Sequence, residues 1–130
     1  MGKDWSVGVL VVTPYDQDRM RLESILQPPR WRVYAARDLQ EAVALAQIHS
    51  AQVTICESEL PDGTWKCLLD ALAQLAVQPR LIVSSRLADD RLWAEVLNLG
   101  GYDVVLTPFE ADEVRRAVHL ASNLTWTAGN

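Results

Sequence analysis

The sequence predicts an α/β fold, a (βα)5 doubly wound sheet of five parallel strands with helices on both faces. Five short apolar runs alternate along the chain with segments of helical periodicity. The runs show little polar alternation, which is typical of strands buried on both faces. Short connections between alternating strands and helices favour a parallel sheet with right-handed crossovers. In such folds, ligands and chemistry gather beyond the carboxyl ends of the strands.

The first half of the chain is predicted to form three strands and two helices. The strands are the apolar segments 7–13, 31–36 and 53–56. A helix over 16–27 repeats apolar residues at helical spacing and ends at Pro28-Pro29. The second helix begins after Asp38, which together with Glu41 has the spacing of a capping box.

The second half is predicted to add two strands and three helices. The strands are segments 81–83 and 102–106. A turn at 61–63 precedes the third helix, which repeats leucines at helical spacing. Either Asp89 or Asp90 caps the fourth helix, and Gly100-Gly101 ends it. The last helix covers about 110–124, where apolar residues recur on one face.

Composition and charge exclude several classes of protein. The chain of 130 residues fits one domain, 1–130 with a core over about 7–122. Its 12 basic and 17 acidic residues give a net charge of −5, which opposes binding to nucleic acid or to an anionic membrane. The longest apolar runs fall far short of the ~20 residues that span a bilayer. The first six residues are polar, so we expect no signal peptide there. We therefore expect a soluble, cytoplasmic protein.

The aromatic and sulfur-containing residues are predicted mainly to serve packing. Trp31 and Trp65 are expected to cover the core, and Trp93 to pack at its edge or to face a partner. Two cysteines, Cys56 and Cys67, cannot build a disulfide framework, and neither stands in a zinc-binding motif. Both are expected to be buried thiols.

The loop after the first strand lacks the features of a nucleotide or flavin site. Residues 13–18 contain no glycine, so neither a dinucleotide fingerprint nor a P-loop is present. Pro14 also removes one of the amide donors that a phosphate-binding loop offers. A GxSxG nucleophile elbow is absent from the chain. These absences argue against nucleotide-dependent and hydrolase functions.

Several segments at the strand ends resemble the receiver domains of bacterial two-component response regulators. The segments are Val-Leu-Val-Val at 9–12, Ile-Cys-Glu-Ser-Glu-Leu-Pro-Asp-Gly at 55–63, Val-Ser-Ser at 83–85, Leu-Gly-Gly-Tyr-Asp at 99–103 and Thr-Pro-Phe at 107–109. The resemblance covers about residues 7–122 and implies a flavodoxin-like, receiver-type fold. It also implies an ancestral chemistry, the transfer of a phosphoryl group from a histidine kinase to an aspartate with the help of Mg²⁺.

The chain departs from the receiver pattern at the positions that perform this chemistry. The acidic pair that would hold Mg²⁺ aligns with Thr13 and Pro14, and the phosphoacceptor aspartate aligns with Glu57. The extra methylene moves the Glu57 carboxylate by about 1.5 Å. Thr107, before Pro108, stands where the family has a lysine, and the resemblance implies that this peptide bond is cis.

The remaining family position is a hydroxyl. Counting from the fourth strand favours Ser84 for it, whereas counting back from the Thr-Pro pair favours Ser85. Glu57 is open to three interpretations: a working phosphoacceptor, a fixed charge that imitates the phosphorylated state, or a polar residue without a signalling role. Asp16, Glu57 and Glu59, with help from Asp18 and Asp62, are the candidates for a makeshift metal site. We nevertheless expect no cofactor and no bound metal.

We interpret the chain as a degenerate receiver (pseudo-receiver) that signals by protein contact, independently of phosphorylation, and is not an enzyme. Its partner would be a histidine kinase or another signalling protein, or a second copy in a homodimer. The expected partner surface, on the fourth helix, fifth strand and fifth helix, is Arg91, Trp93, Tyr102, Val104 and Arg116.

Two other functions compete with this interpretation. One is a working receiver phosphorylated at Glu57 with a rebuilt Mg²⁺ site, and the other is a small-ligand-binding domain that uses the pocket at the strand ends. No output domain follows Leu124, so we expect either a stand-alone module or a piece of a longer regulator or kinase.

Overall fold

The computed structural model describes residues 6–87 and 89–128, and side chains as far as residue 122. The strands are β1 (Val7–Val12), β2 (Trp31–Ala36), β3 (Val53–Glu57), β4 (Glu59–Leu60), β5 (Gly63–Thr64), β6 (Arg80–Ser85) and β7 (Asp103–Leu106). The helices are α1 (Asp16–Ile25), α2 (Leu39–Ile48), α3 (Trp65–Leu72), α4 (Asp90–Leu99) and α5 (Ala111–Ala128). The predicted alternation of five long strands and five helices is therefore confirmed.

The five long strands form one parallel sheet in the order β2-β1-β3-β6-β7. The chain adds β2 on one side of β1 and then crosses to add β3 on the other side. The strand order therefore reverses between β1 and β3, which is the point where doubly wound sheets open a crevice at their carboxyl edge. The loops after β1 and β3 meet there.

Each face of the sheet carries its own hydrophobic cluster. On one face α1 and α5 pack against the strands, with Leu22 and Val118 fully buried. On the other face α2, α3 and α4 contribute Ala42, Leu68 and Val96. Helices on both faces bury both sides of the strands, which explains the continuous apolar runs in the sequence.

The helix caps follow the sequence signals. Asp38 Oδ1 accepts a hydrogen bond of 2.8 Å from the Glu41 amide, and Glu41 Oε1 accepts one of 2.8 Å from the Arg37 amide. Asp89, rather than Asp90, caps α4. Gly100 ends α4 with a φ of 108°, a left-handed conformation that favours glycine.

The ends of several elements differ from the prediction. β1 stops one residue early, α1 ends at Ile25, β7 begins at Asp103, and α5 runs on to Ala128. The short antiparallel pair of β4 and β5 was not predicted, because two-residue strands leave no periodic pattern. In α2, Ala42 is fully buried, whereas the predicted face of Leu39, Val43 and Ala46 is only half-buried.

Asp62 does more than form the predicted turn. Its carboxylate accepts hydrogen bonds of 2.8 Å from the Leu39 amide and 3.0 Å from the Gln40 amide. These amides belong to the first turn of α2, which has no internal partners for them. The loop after β3 therefore caps α2 from a distance.

One packing prediction was wrong. Trp31 and Trp65 are buried as expected, and Trp93 is 51% exposed, so about half of its surface is accessible to a partner. Cys56 is buried, whereas Cys67 lies exposed on α3, which presents it away from the sheet. Within residues 6–87 and 89–128, no helix is both long and apolar enough to cross a membrane.

Candidate functional site

The carboxyl ends of β3 and β6 bring an acid and a hydroxyl together. Glu57 and Ser84 are directly opposite each other in the parallel register. The Ser84 hydroxyl donates a hydrogen bond of 3.0 Å to Glu57 Oε1. Glu57 is only 5% exposed, so its carboxylate lies within the protein although Glu57 is the last residue of β3.

The two neighbouring serines have different roles. Ser84 contacts Glu57, whereas the Ser85 hydroxyl accepts a hydrogen bond of 3.1 Å from the Leu87 amide and so stabilises the following turn. The Ser85 carbonyl accepts bonds from the Thr107 amide (2.9 Å) and the Thr107 hydroxyl (3.3 Å). The geometry therefore places the Ser84 hydroxyl, and not that of Ser85, beside Glu57.

The loops after β1 and β7 offer hydroxyl groups and prolines at this edge. Thr13 is buried, and its Oγ1 accepts a hydrogen bond of 3.2 Å from the Tyr15 amide. Pro14 has no polar side-chain atom. The Thr107–Pro108 peptide bond is cis, as the resemblance implied. These residues provide no carboxylate and no ammonium group.

Arg86 occupies the mouth of this edge, and its role was not recognised from the sequence. Its guanidinium donates to Asp18 Oδ2 at 2.7 Å and to Thr107 Oγ1 at 3.5 Å. The same group lies 4.3 Å from the centroid of the Tyr15 ring, a cation–π contact. Arg86 follows Ser84-Ser85 directly, which is the signal in the sequence that could have pointed to it.

The electrostatic environment favours the protonated form of Glu57. Burial is the largest influence and raises the pKa of its carboxyl group. The hydrogen bond from Ser84 and the charge of Arg86 lower this pKa, and the neighbouring acids Asp18 and Glu59 raise it again. Burial dominates, so the pKa of Glu57 lies above its ordinary value.

Comparisons with known proteins agree with this architecture. No family model matches the sequence. The chain is 25% identical over 116 residues to the chemotaxis protein CheY of Bacillus subtilis (strain 168), a match that covers 88% of this chain and 97% of that protein.

Solved structures match the fold over almost the whole chain. One is the signal receiver domain of an HD domain-containing protein from Pseudomonas fluorescens Pf-5, with a TM-score of 0.86, 22% identity, and coverage of 98% of this chain and 95% of that chain. Another is the chemotaxis response regulator CheY4 of Vibrio cholerae, with a TM-score of 0.79, 20% identity, and coverage of 89% and 98%. This chain has the receiver fold.

On this receiver fold, the residues at the strand ends do not fit Mg²⁺. The ion takes several oxygen ligands at one point, usually one or two carboxylates. Here Asp18 is paired with Arg86, and Asp16 lies 2.9 Å from the Arg37 guanidinium. Among the described residues, no group of three His, Cys, Asp or Glu side chains could hold a metal ion. The candidates Asp16, Glu57 and Glu59 are therefore not gathered into a site.

A shallow cavity of about 250 Å³ lies beside the strand ends of the receiver fold. It is bordered by Ser58 after β3 and by Asp89 and Leu92 at the start of α4. Lys66, which also lines it, forms an ion pair with Glu95. The ammonium group of Lys66 is thus already paired within the protein.

The predicted partner surface lies around β7, an edge strand of the receiver fold. Arg91, Trp93 and Arg116 are exposed, whereas Tyr102 and Val104 are half-buried and pack against the two core clusters. Sequence reasoning missed exposed apolar residues on the same three elements, which are Leu97 on α4, Leu106 on β7 and Leu120 on α5. Leu97 follows Trp93 by four residues and therefore shares its helix face.

Proposed function

We propose that this chain is a receiver module of two-component signal transduction that acts by protein–protein contact and is not switched by phosphorylation. The observation that carries the proposal is the ion pair of Arg86 and Asp18 beside Glu57, at 2.7 Å. In a phosphorylation site, an acid of this kind would bind the metal and a cation would contact the phosphoryl oxygens. Here the two charges neutralise each other.

The geometry of the acceptor position supports this proposal. Glu57 is buried, is one methylene longer than aspartate, and accepts the Ser84 hydrogen bond. In-line attack on phosphorus depends on ångström-scale positioning, and a misplacement of about 1 Å can cost on the order of 100-fold in rate. Thr13, Pro14 and Thr107 bring neither the acids nor the lysine of the family pattern.

In this proposal, Glu57 is a buried acid that accepts a hydrogen bond from Ser84 and is influenced by the charge of Arg86. Its burial favours the neutral form, and Arg86 favours the charged form. A permanent ion pair of Arg86 with Asp18 at this edge would hold the module in one state. The alternative of a working phosphoacceptor requires Arg86 to leave Asp18 so that a metal can enter.

The partner, by the same proposal, is a histidine kinase or another signalling protein that contacts the surface around Trp93. An exposed tryptophan beside exposed leucines resembles the aromatic anchors that dominate binding energy at protein interfaces. A homodimer through the same surface is the alternative occupant. A cytoplasmic location stays a prediction.

Intact-mass measurement after incubation with acetyl phosphate and Mg²⁺ tests the proposal. We expect no adduct with the mass of a phosphoryl group on this chain, while an active receiver domain treated in parallel acquires one. A variant with Thr13→Asp, Pro14→Asp, Glu57→Asp and Thr107→Lys restores the family pattern and is expected to gain the adduct. A stable adduct on the unaltered chain, lost in Glu57→Gln, would establish the working-receiver alternative.

A further inference from the structure

Asp18 is an acid that the fold largely encloses. It lies in the first turn of α1, and its side chain is only 13% exposed. A carboxylate removed from water needs a cation or several hydrogen-bond donors to offset the loss of hydration. Besides burial, which is the largest influence, the charges of Asp18 and Glu59 raise the pKa of Glu57, so these acids act on one another across the carboxyl edge of the sheet. This edge therefore needs a positive charge.

Arg86 supplies that charge from the loop after β6. Its guanidinium lies 2.7 Å from Asp18 Oδ2 and 3.5 Å from Thr107 Oγ1. The same charge lowers the pKa of Glu57, although burial outweighs it. A guanidinium stays charged at physiological pH and forms directed hydrogen bonds, so Arg86 offsets the charge of the acids permanently.

Contacts from several elements fix the position of this guanidinium. The Tyr15 ring, at the amino end of α1, has its centroid 4.3 Å away. Thr107 contacts the guanidinium from the loop after β7. The backbone turns tightly at Arg86, because the Ser85 hydroxyl accepts a hydrogen bond of 3.1 Å from the Leu87 amide. Arg86 is therefore held at the edge of the sheet.

This arrangement differs from the one that the resemblance to receiver domains implies. That pattern has a metal-binding acidic pair, which aligns here with Thr13 and Pro14, and a lysine, which aligns with Thr107. Arg86 stands beside an acid, Asp18, and also beside the Thr107 hydroxyl. One side chain thus supplies the positive charge that the pattern divides between a metal ion and a lysine.

We propose that Arg86 is the permanent cation of this edge, which replaces the divalent metal ion and the lysine of the receiver pattern and keeps divalent cations out. This proposal rests on the proposed function, because a phosphorylated receiver would require the metal. It goes further in assigning the exclusion of metal to a single side chain. Hydrated Mg²⁺ or Mn²⁺ needs only one or two carboxylates, so Asp18 without its arginine would attract such an ion.

Titration of the whole ¹⁵N-labelled chain with Mn²⁺ tests the proposal. This paramagnetic ion broadens nearby amide resonances and prefers the same oxygen ligands as Mg²⁺. In the unaltered chain, we expect no saturable broadening at the Ser58 and Ser84 amides. In Arg86→Met, both amides should broaden saturably, with an apparent Kd at least about tenfold lower, because a positive charge no longer repels the ion at close range.

Three further variants make the result specific for this edge. Arg86→Gln keeps hydrogen-bond donors but not the charge, and it should gain the same binding. Arg86→Met combined with Asp18→Asn removes the acid as well and should lose the gained binding. Arg37→Met is the matched control, because it removes an arginine that lies 2.9 Å from Asp16 in the same helical turn. It should not reproduce the tenfold gain.

The outcomes separate this proposal from the proposed function. It is overturned if the unaltered chain binds Mn²⁺ as tightly as Arg86→Met does, if neither Arg86 variant gains binding, or if the gain persists in the variant with Asp18→Asn. Because no phosphoryl donor is present, Mn²⁺ binding by the unaltered chain would overturn this proposal alone. A phosphoryl adduct in the acetyl phosphate experiment would instead overturn the proposed function.

Discussion

Glu57 is the buried acid at the carboxyl ends of the strands. Its carboxyl group is buried, bonded to Ser84 and close to the ion pair of Arg86 and Asp18. Burial opposes ionisation more strongly than the nearby cation promotes it. Consequently, the folded protein holds a proton at Glu57 over a pH range in which the unfolded chain has released it.

This difference in pKa predicts a pH-dependent stability. Because the folded-state pKa of Glu57 is raised, its favourable contribution is fully present below the ordinary glutamate pKa and is lost as pH rises through the folded value. Glu57→Gln removes this loss, so its free energy of unfolding should rise relative to the unaltered chain as pH increases. Urea titrations from about pH 4 to about pH 7 measure the difference. Glu113→Gln, at an exposed position on α5 that does not influence the pKa of Glu57, is the control for the substitution itself.

Arg86 gives a second prediction for the residues at the strand ends. Replacing it with methionine removes the bonds to Asp18 and Thr107 and should destabilise the fold by about 1 kcal/mol, since Arg86 is half-exposed and solvent screens the pair. Arg37→Met breaks the more exposed ion pair with Asp16 and should change the free energy of unfolding by less than about 0.5 kcal/mol. If the two variants lower the free energy of unfolding equally, the bonds of Arg86 at the strand ends contribute no more than an ordinary exposed ion pair.

Helix α2 depends on two loops for its amino terminus. Asp38 caps it locally, and Asp62 accepts hydrogen bonds from the Leu39 and Gln40 amides across the fold. These backbone bonds lower the pKa of Asp62, so its contribution is present above the ordinary aspartate pKa and is lost as pH falls through the lowered value.

Asp62→Ala should therefore expose the first turn of α2. We expect faster hydrogen exchange at the Leu39 and Gln40 amides near neutral pH, together with a smaller loss of stability on acidification. Asp70→Ala, on the exposed face of α3, is the control. Unchanged exchange at both amides would contradict the proposed cap.

The elements that could be predicted from sequence are those whose signals are local. β2 has the predicted bounds, because its apolar and aromatic residues stand out even though this edge strand includes the exposed Arg32. Asp38 and Asp89 cap the helices that their spacing indicates. Asp62 lies 23 positions from Leu39 and 22 positions from Gln40, the two residues whose amides it caps. Arg86 and Asp18 are 68 positions apart in the sequence. No periodicity encodes such contacts, so only the folded structure reveals them. The exposure of Trp93 likewise depends on how α4 is rotated against the sheet.

At the scale of the whole molecule, the receiver fold separates three regions. The strand ends hold the internally paired charges, the opposite edge holds a cleft between the ends of α2 and α3, and the edge strand β7 carries exposed apolar residues. The assignment of Thr13, Pro14, Glu57 and Thr107 to family positions stays a prediction, whereas the fold itself is established by the structure and its neighbours.

The exposed surface predicts how the module meets its partner. Trp93→Ala should weaken capture of the native partner by at least about tenfold, as expected for a tryptophan at the centre of an interface. Met20→Ala removes a large exposed side chain on α1 and should leave capture unchanged. If the two variants bind equally well, the partner surface does not include Trp93.

Beryllofluoride with Mg²⁺ tests whether the strand ends respond to phosphorylation chemistry. These reagents are added together to the ¹⁵N-labelled chain, and the amide resonances of Ser58, Ser84 and Arg86 are followed. We expect no saturable shift, because Asp18 stays paired with Arg86 and, among the described residues, no group of three His, Cys, Asp or Glu side chains could hold the ion. A saturable shift at these amides that requires both reagents and disappears in Glu57→Gln would contradict it.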